Sequence, residues 1–243
     1  MNDQTNRRKR QHIEVIGRDE GVERNGRFFD AIQLQHRAMP EINLHDVDPS
    51  IEIMGKRLSF PLLISSMTGG DDALVGKVNQ HLAEAAQITG VAMGVGSQRV
   101  MLEDTKAQAS FDLRRYAPDA LLFANMGAIQ LNNGMASAQL QQAIDVLAAD
   151  AIFLHLNPLQ EAVQPEGDTN FANLAQAIGH AQTQLNVPVV LKEVGAGLSV
   201  ADIELGLRHG IQWFDVAGRG GTSWARIEQQ RREDAHTLGF TLQ

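Results

Sequence analysis

Residues 155–161 read HLNPLQE, which sets an imidazole, two carboxamides and a carboxylate within seven positions. They follow directly on the apolar run AIFLHL at 151–156. A plain exit from a buried strand needs none of these groups. Glu161 offers a hard oxygen suited to Mg2+, a cation that keeps several waters and is usually held by one or two carboxylates plus substrate phosphates. His155 can serve as a general acid or base, or donate to a phosphate. Each residue also has a plainer reading, His155 as a satisfied core histidine and Glu161 as a solvated loop residue. The acidic stretch EGD at 166–168 follows closely, so the cluster as a whole suggests polar groups held in fixed positions.

Four other stretches carry chemistry. GRGGTSW at 218–224 combines close-approach glycines with Thr222 and Ser223. It suits backbone laid against a ligand, or an anion at a helix start, and equally a tight turn with an N-cap. MTGG at 67–70 has the same two readings. KEVGAG at 192–197 contains only part of a dinucleotide fingerprint, which is weak evidence for such a site. Its Lys192, at the end of the run VPVVLK, is costly to bury unless it is paired. It is expected to face an anion or an electron-rich ring, with the adjacent Glu193 as its plainer partner. RRKR at 7–10 is either a solvated tail or a source of cations for a diphosphate.

The elements that position these residues follow a rhythm. Apolar runs occur at 61–67, 91–96, 121–126, 151–156, 187–194 and 211–218. Each is short and lacks polar alternation, as expected of strands buried on both faces. Helix-like stretches lie between or after them at 73–89, 137–148, 171–185, 199–209 and 223–236. The spacing of roughly 30 residues matches one βα unit. The chain therefore reads as an α/β protein with parallel strands. The run ends carry the chemistry: Ser66 to Gly70, Gly96 to Arg99, Asn125, His155 to Glu161, Lys192-Glu193 and Asp215 to Thr222. A closed barrel gathers all such ends around one cavity, whereas an open sheet uses mainly those at its switch point. The reading is a TIM-type (β/α)8 barrel with about six units present, residues 61–243 forming the incomplete barrel. Residues 1–60, charged and irregular, are expected to cap its mouth. A full barrel would need about two more units, on the order of 60 residues, so either the chain is truncated or the sheet is completed in some other way.

The net charge of -8 argues against a general nucleic-acid binder, which would need clustered cations. With no cysteine there is no disulfide, thiolate metal site or thiol nucleophile, which suits a reducing cytoplasm. The polar start MNDQTNRRKR lacks a signal-peptide core, and no apolar stretch approaches the ~20 residues of a membrane span. A soluble, cytoplasmic protein is expected.

Eight motifs in order, RKRQH, FDAIQLQHRAMPE, PLLISSMTGG, MGVGSQR, HLNPLQE, QPEGDTNF, KEVGAGLS and DVAGRGGTSWARIE, resemble the flavin-dependent type 2 isopentenyl-diphosphate isomerases from about residue 7 to 228. The resemblance implies a TIM barrel, reduced FMN, Mg2+, NADPH to reduce the flavin, and interconversion of isopentenyl and dimethylallyl diphosphate. It implies diphosphate contacts at Arg8, Lys9, Ser97, Gln98 and Arg99. FMN contacts are implied at Ser66, Met67, Thr68, Ser97, Asn125, Lys192 and Thr222. Gln160 would touch the substrate and act catalytically beside His155, and Glu161 would hold the metal. Ala217 stands where many relatives place a serine. The partners expected are a small-molecule diphosphate and further copies of the chain in a homo-oligomer, with no nucleic acid and no membrane. Relatives carry two further strands whose loops hold the flavin phosphate, so FMN binding here is expected to be weak or absent. The alternatives are an FMN-dependent oxidoreductase on the same barrel and a non-catalytic remnant.

Overall fold

The computed structural model describes residues 11–24, 28–66 and 73–232. Six parallel strands form one sheet in strict chain order: β3 (Leu63–Ile64), β4 (Ala92–Gly94), β5 (Leu122–Gly127), β6 (Ala151–Leu156), β7 (Val189–Glu193) and β8 (Trp213–Asp215). Unbroken sequential order is the winding of a barrel, and the sheet is part of a (β/α)8-type barrel. Among the described residues it stays open, with β3 and β8 as its edges. The helices are α1 (11–18), α2 (Ala73–Thr89), α3 (Arg99–Glu103), α4 (Ser137–Leu147), α5 (Pro158–Val163), α6 (Leu174–Gln182), α7 (Val200–Arg208) and α8 (Trp224–Gln230). None is long and apolar enough to cross a membrane among the described residues.

Two apolar layers explain why the strands lack alternation. One face of β5 to β7 turns Leu122, Ala124, Met126, Ile152, Leu154, Val189 and Leu191 toward Ala83, Leu140, Ile144, Leu147 and Ile178 of the helices. The other face turns Leu121, Phe123, Ala151, Phe153 and Val190 inward. There Phe123 and Phe153 stack with ring centroids 4.6 Å apart. α2 buries Val75, Asn79, Ala83 and Ala86 as a single stripe, the helical period of an amphipathic element. α7 opens with a capping box, since Ser199 Oγ accepts from Asp202 N while Asp202 Oδ2 accepts from Ser199 N at 2.8 Å.

The register turns this inner face into a gradient. His155 lies opposite Lys192, Lys192 opposite Asp215, and Phe153 opposite both Asn125 and Val190. Because inward residues recur every second position, Phe123 leads to Asn125, Phe153 to His155, Val190 to Lys192 and Trp213 to Asp215. The inner face is apolar near the strand starts and polar at their carboxyl ends.

The expected single cap over residues 1–60 divides in two. The antiparallel hairpin β1 (Ile51–Ile53) and β2 (Lys56–Leu58) packs Ile53, Met54 and Leu58 against Ala92, Leu121 and Ala151. It therefore plugs the end where the strands begin, and Lys56 reaches Asp150, just before β6, at 3.6 Å. Among the described residues, 11–24 lie at the carboxyl ends, where Val15 and Val22 pack with Ile227 and Trp224. The physical reason is apolarity: Leu58, Ile53 and Met54 pack on an inner face lined there by Ala92, Leu121 and Ala151.

Candidate functional site

Ser66, Ser97, Asn125, His155, Gln160, Glu161 and Lys192 line one cavity at the carboxyl ends of the strands. A second cavity adjoins it through Ser66 and Lys192 and is lined by Thr222 with the glycine-rich loops after β7 and β8. Five of the six loaded strand ends thus meet in the first cavity and the sixth borders the second. Arg8, Lys9, Met67 and Thr68 lie outside the described residues.

His155 is held by β5. Asn125 Nδ2 donates to the Val95 carbonyl at 2.9 Å, and a carbonyl can only accept. The other amide atom, Oδ1, therefore faces His155 Nδ1 at 2.7 Å, and that nitrogen carries the proton. Asn125 in turn is fixed by Gln98, whose Oε1 accepts from Asn125 N at 3.0 Å and whose Nε2 donates to the Ala143 carbonyl on α4 at 2.9 Å. The Gln98 side chain is fully buried. The diphosphate contact expected of Gln98 is corrected here: both ends of its amide are spent inside the protein, and it braces the strand instead. Ser97 and Arg99, on either side of it, do reach the cavity. Arg99 is ion-paired with Glu103 at 3.3 Å and Asp168 at 3.8 Å.

HLNPLQE is not a loop. After Asn157 the chain turns into the short helix α5, with Pro158 in its first turn, where its fixed φ suits a helix start and its missing N–H is not needed. Gln160 and Glu161 therefore stand on a helix. The Glu161 carboxylate is buried, accepting from Asn157 Nδ2 at 2.8 Å and from Asp168 N at 2.7 Å. The loop reaches it only because residue 167 is glycine: a Cβ there would lie 1.9 Å from the Glu161 carbonyl oxygen. Gln160 Nε2 donates to Glu228 Oε1 at 3.1 Å, and the same oxygen meets His12 Nε2 at 3.1 Å. Arg231 closes on the other oxygen of Glu228. Burial pushes the Glu228 carboxyl up, but the hydrogen bond and charge of His12, the charge of Arg231 and the Gln160 amide outweigh it and hold it at about 2.

Lys192 is also buried, 8% exposed. Burial pushes its ammonium down, while the charges of Asp215 and Glu193 oppose that. Of Thr222 and Ser223, Ser223 is the helix cap, its Oγ accepting from Arg226 N at 3.3 Å, which leaves the Thr222 side chain to the cavity.

Among the described residues, two buried side-chain polar atoms have no hydrogen-bond partner, Ser66 Oγ and Asn157 Oδ1. Both residues line the first cavity. Orphaned buried polar atoms are rare in folded proteins, and a ligand in the cleft would satisfy them. Beside Glu161, the free Asn157 oxygen makes a pair of hard donors. No group of three His, Asp or Glu that could hold a metal occurs among the described residues, so a cation there needs oxygens from substrate and water. That fits Mg2+, which binds in this way. A flat ring with electron-rich edges fits Lys192, Ser66 and the glycine backbone of the second cavity.

His12, Arg24, Glu228 and Arg231 carry the geometry without having been singled out in the sequence, and Asn157 stood in HLNPLQE with no role of its own assigned. Glu228 left a signal: it stands three residues after Ala225 in WARIEQQ, on the face α8 buries. His12 stood two residues after the basic run, in RKRQH. Arg24 left none, because Gly195 and Gly221 lie 171 and 197 residues away along the chain; Arg231 follows Glu228 by three residues but also meets Glu166, 65 residues away.

The model of a family described as FMN-dependent dehydrogenase matches residues 11–125. The isopentenyl-diphosphate delta-isomerase of Hydrogenovibrio crunogenus is 56% identical over 94% of this chain and 66% of its own length. That of Paracoccus zeaxanthinifaciens is 53% identical over 97% of this chain and 68% of its own. The chain thus spans about two thirds of the length of these relatives. A soluble mutant of the (S)-mandelate dehydrogenase of Pseudomonas putida overlaps 69% of this chain and 53% of its own, at 19% identity and a TM-score of 0.49.

Proposed function

The chain belongs to the isopentenyl-diphosphate delta-isomerase family, and from that premise we propose that it interconverts isopentenyl and dimethylallyl diphosphate using reduced FMN and Mg2+. Moving the double bond requires a proton gained at one carbon and lost at another, with the cationic character between them shielded from water. The chemistry FMN would supply when bound and reduced by NADPH is an electron-rich face and an exchangeable proton. Lys192, Ser66 and Thr222 would hold and orient the ring, while Asn125, whose amide is spent on Val95 and His155, braces the wall beside it. Glu161, with the Asn157 oxygen, would hold Mg2+ against the diphosphate, whose remaining charge Arg99 and Ser97 would meet. His155, its Nδ1 proton fixed by Asn125, and Gln160, fixed by Glu228, face the substrate from β6 and α5.

The observation that carries this reading is that the two orphaned polar atoms and the buried Lys192 all border one cleft, with Glu161 beside the orphaned Asn157 oxygen. The test is Glu161→Gln under anaerobic, reducing conditions with isopentenyl diphosphate. Turnover is expected to fall about hundredfold or more, with a weakened response to Mg2+ and with FMN binding kept. Turnover near that of the parent removes the metal assignment. Net oxidation of substrate, in place of isomerisation, removes the activity.

A further inference from the structure

The loops after β7 and β8, residues 194–198 and 216–221, face each other across the second cavity and hold five glycines. Neither forms a helix or strand. Glycine-rich backbone of this kind loses much conformational entropy on ordering and keeps one shape only when something ties it.

Two opposite charges supply the ties. At the end of β7, Glu193 turns Oε2 onto three successive backbone N–H groups, Gly195 at 2.6 Å, Ala196, and Gly197 at 2.9 Å. A concavity of N–H groups that could receive an anion is thus filled by the chain's own carboxylate. From the N-terminal segment, Arg24 donates through Nη2 to the Gly195 carbonyl and, at 3.5 Å, to that of Thr222, and through Nε to that of Gly221 at 3.4 Å. The backbone reinforces it. Arg24 N donates to Gly221 O at 3.0 Å and Ser223 N to Val22 O at 2.8 Å, so residues 22–24 lie antiparallel to 221–223 around the bridge Glu23–Thr222. One guanidinium therefore grips both loops. The loops also touch: at Gly197, with φ +87°, a Cβ would sit 3.0 Å from Gly218 Cα. Burial and the nearby Arg219 push the Arg24 guanidinium down, and Glu193 opposes them.

We infer that Arg24 and Glu193 are positioning residues that fix the width of the second cavity between Lys192 and Thr222 before a planar cofactor enters. This rests on the flavin reading and extends it, because it makes residues 22–24 of the N-terminal segment part of the cofactor site. Fixing the loops in advance lowers the entropy lost on binding. Arginine is required, since a lysine ammonium is a point charge that lacks the planar fork needed to reach three carbonyls.

The test uses the full chain with FMN as the probe and compares the parent with Arg24→Ala, Arg24→Lys and Glu193→Gln. Backbone hydrogen exchange is read without FMN, and FMN affinity by quenching of flavin fluorescence. Arg24→Ala and Arg24→Lys are expected to raise exchange in both loops together and weaken FMN binding about tenfold, with the unfolding midpoint unchanged. Glu193→Gln is expected to raise exchange at 195–197 with less effect on 216–221. Unchanged exchange in Arg24→Lys overturns the clamp. Raised exchange with unchanged FMN affinity overturns its role in positioning the cofactor. A parent that binds no FMN overturns the flavin reading and the cofactor role with it, while exchange still decides whether the clamp exists.

Discussion

The two walls of the cleft are built by opposite means. The wall after β5 and β6 is made of side chains from regular elements, Asn125, His155, Asn157, Gln160 and Glu161, each held by another side chain or by a loop N–H. The wall after β7 and β8 is backbone, mostly glycine, shaped by Glu193 and Arg24. In the first wall a lost member leaves a buried polar group without its partner, so the cost is local and large. In the second a lost tie frees a segment, so the cost falls on ligand affinity more than on folding. Where rigid polar contacts are needed, the chain uses helix and strand ends. Where a flat surface is needed, it uses bare backbone and ties it from a distance.

The sharpest way to break this contrast is at Glu228, which anchors the first wall through Gln160. Glu228→Gln leaves His12 and Arg231 facing a neutral amide and is expected to cost about 3 kcal/mol or more at neutral pH. The sign of its pH dependence follows from the lowered carboxyl. A group at about 2 when folded and 4.5 otherwise stabilises fully above pH 4.5 and loses that stabilisation as pH falls toward 2. Melting curves of parent and variant should therefore converge as pH drops through that window. Curves that stay parallel would show that Glu228 is not held as an ion.

A somewhat smaller effect is expected from Gly167→Ala. The added carbon cannot coexist with the Glu161 carbonyl 1.9 Å away, and backbone on both sides has little room to yield. The loop must lift and release the Asp168 N–H from Glu161, at about 2 kcal/mol of stability. The variant should also show a weakened Mg2+ response in turnover. A variant that melts and responds to Mg2+ like the parent would mean that the loop does not set the Glu161 position.

The first wall could be read from the sequence almost residue by residue, because its members sit at strand ends and strand ends are marked by apolar runs. All six runs became strands, and α2 spans the full stretch 73–89. What escaped has a common cause. The helix α5 is only six residues long, too short for periodicity to reveal. Gln98 stands among cavity residues in SQR, yet its amide points into the α4 packing, and no local pattern tells a brace from a contact. The hairpin at 51–58 found the barrel floor because of three apolar side chains, within a region whose charge suggested a surface cap. Arg24 and Glu193 act through contacts that only the fold creates.

Both cavities share one buried cation, Lys192. Titrating parent and Lys192→Met with FMN, and following the flavin's visible spectrum up to saturation, tests the flavin reading of that site most directly. The prediction is a perturbed flavin spectrum in the parent, whatever the strength of binding, and at least about tenfold weaker binding in the variant. Equal affinity and equal spectra in the two proteins, or no perturbation in the parent at any concentration, would contradict it.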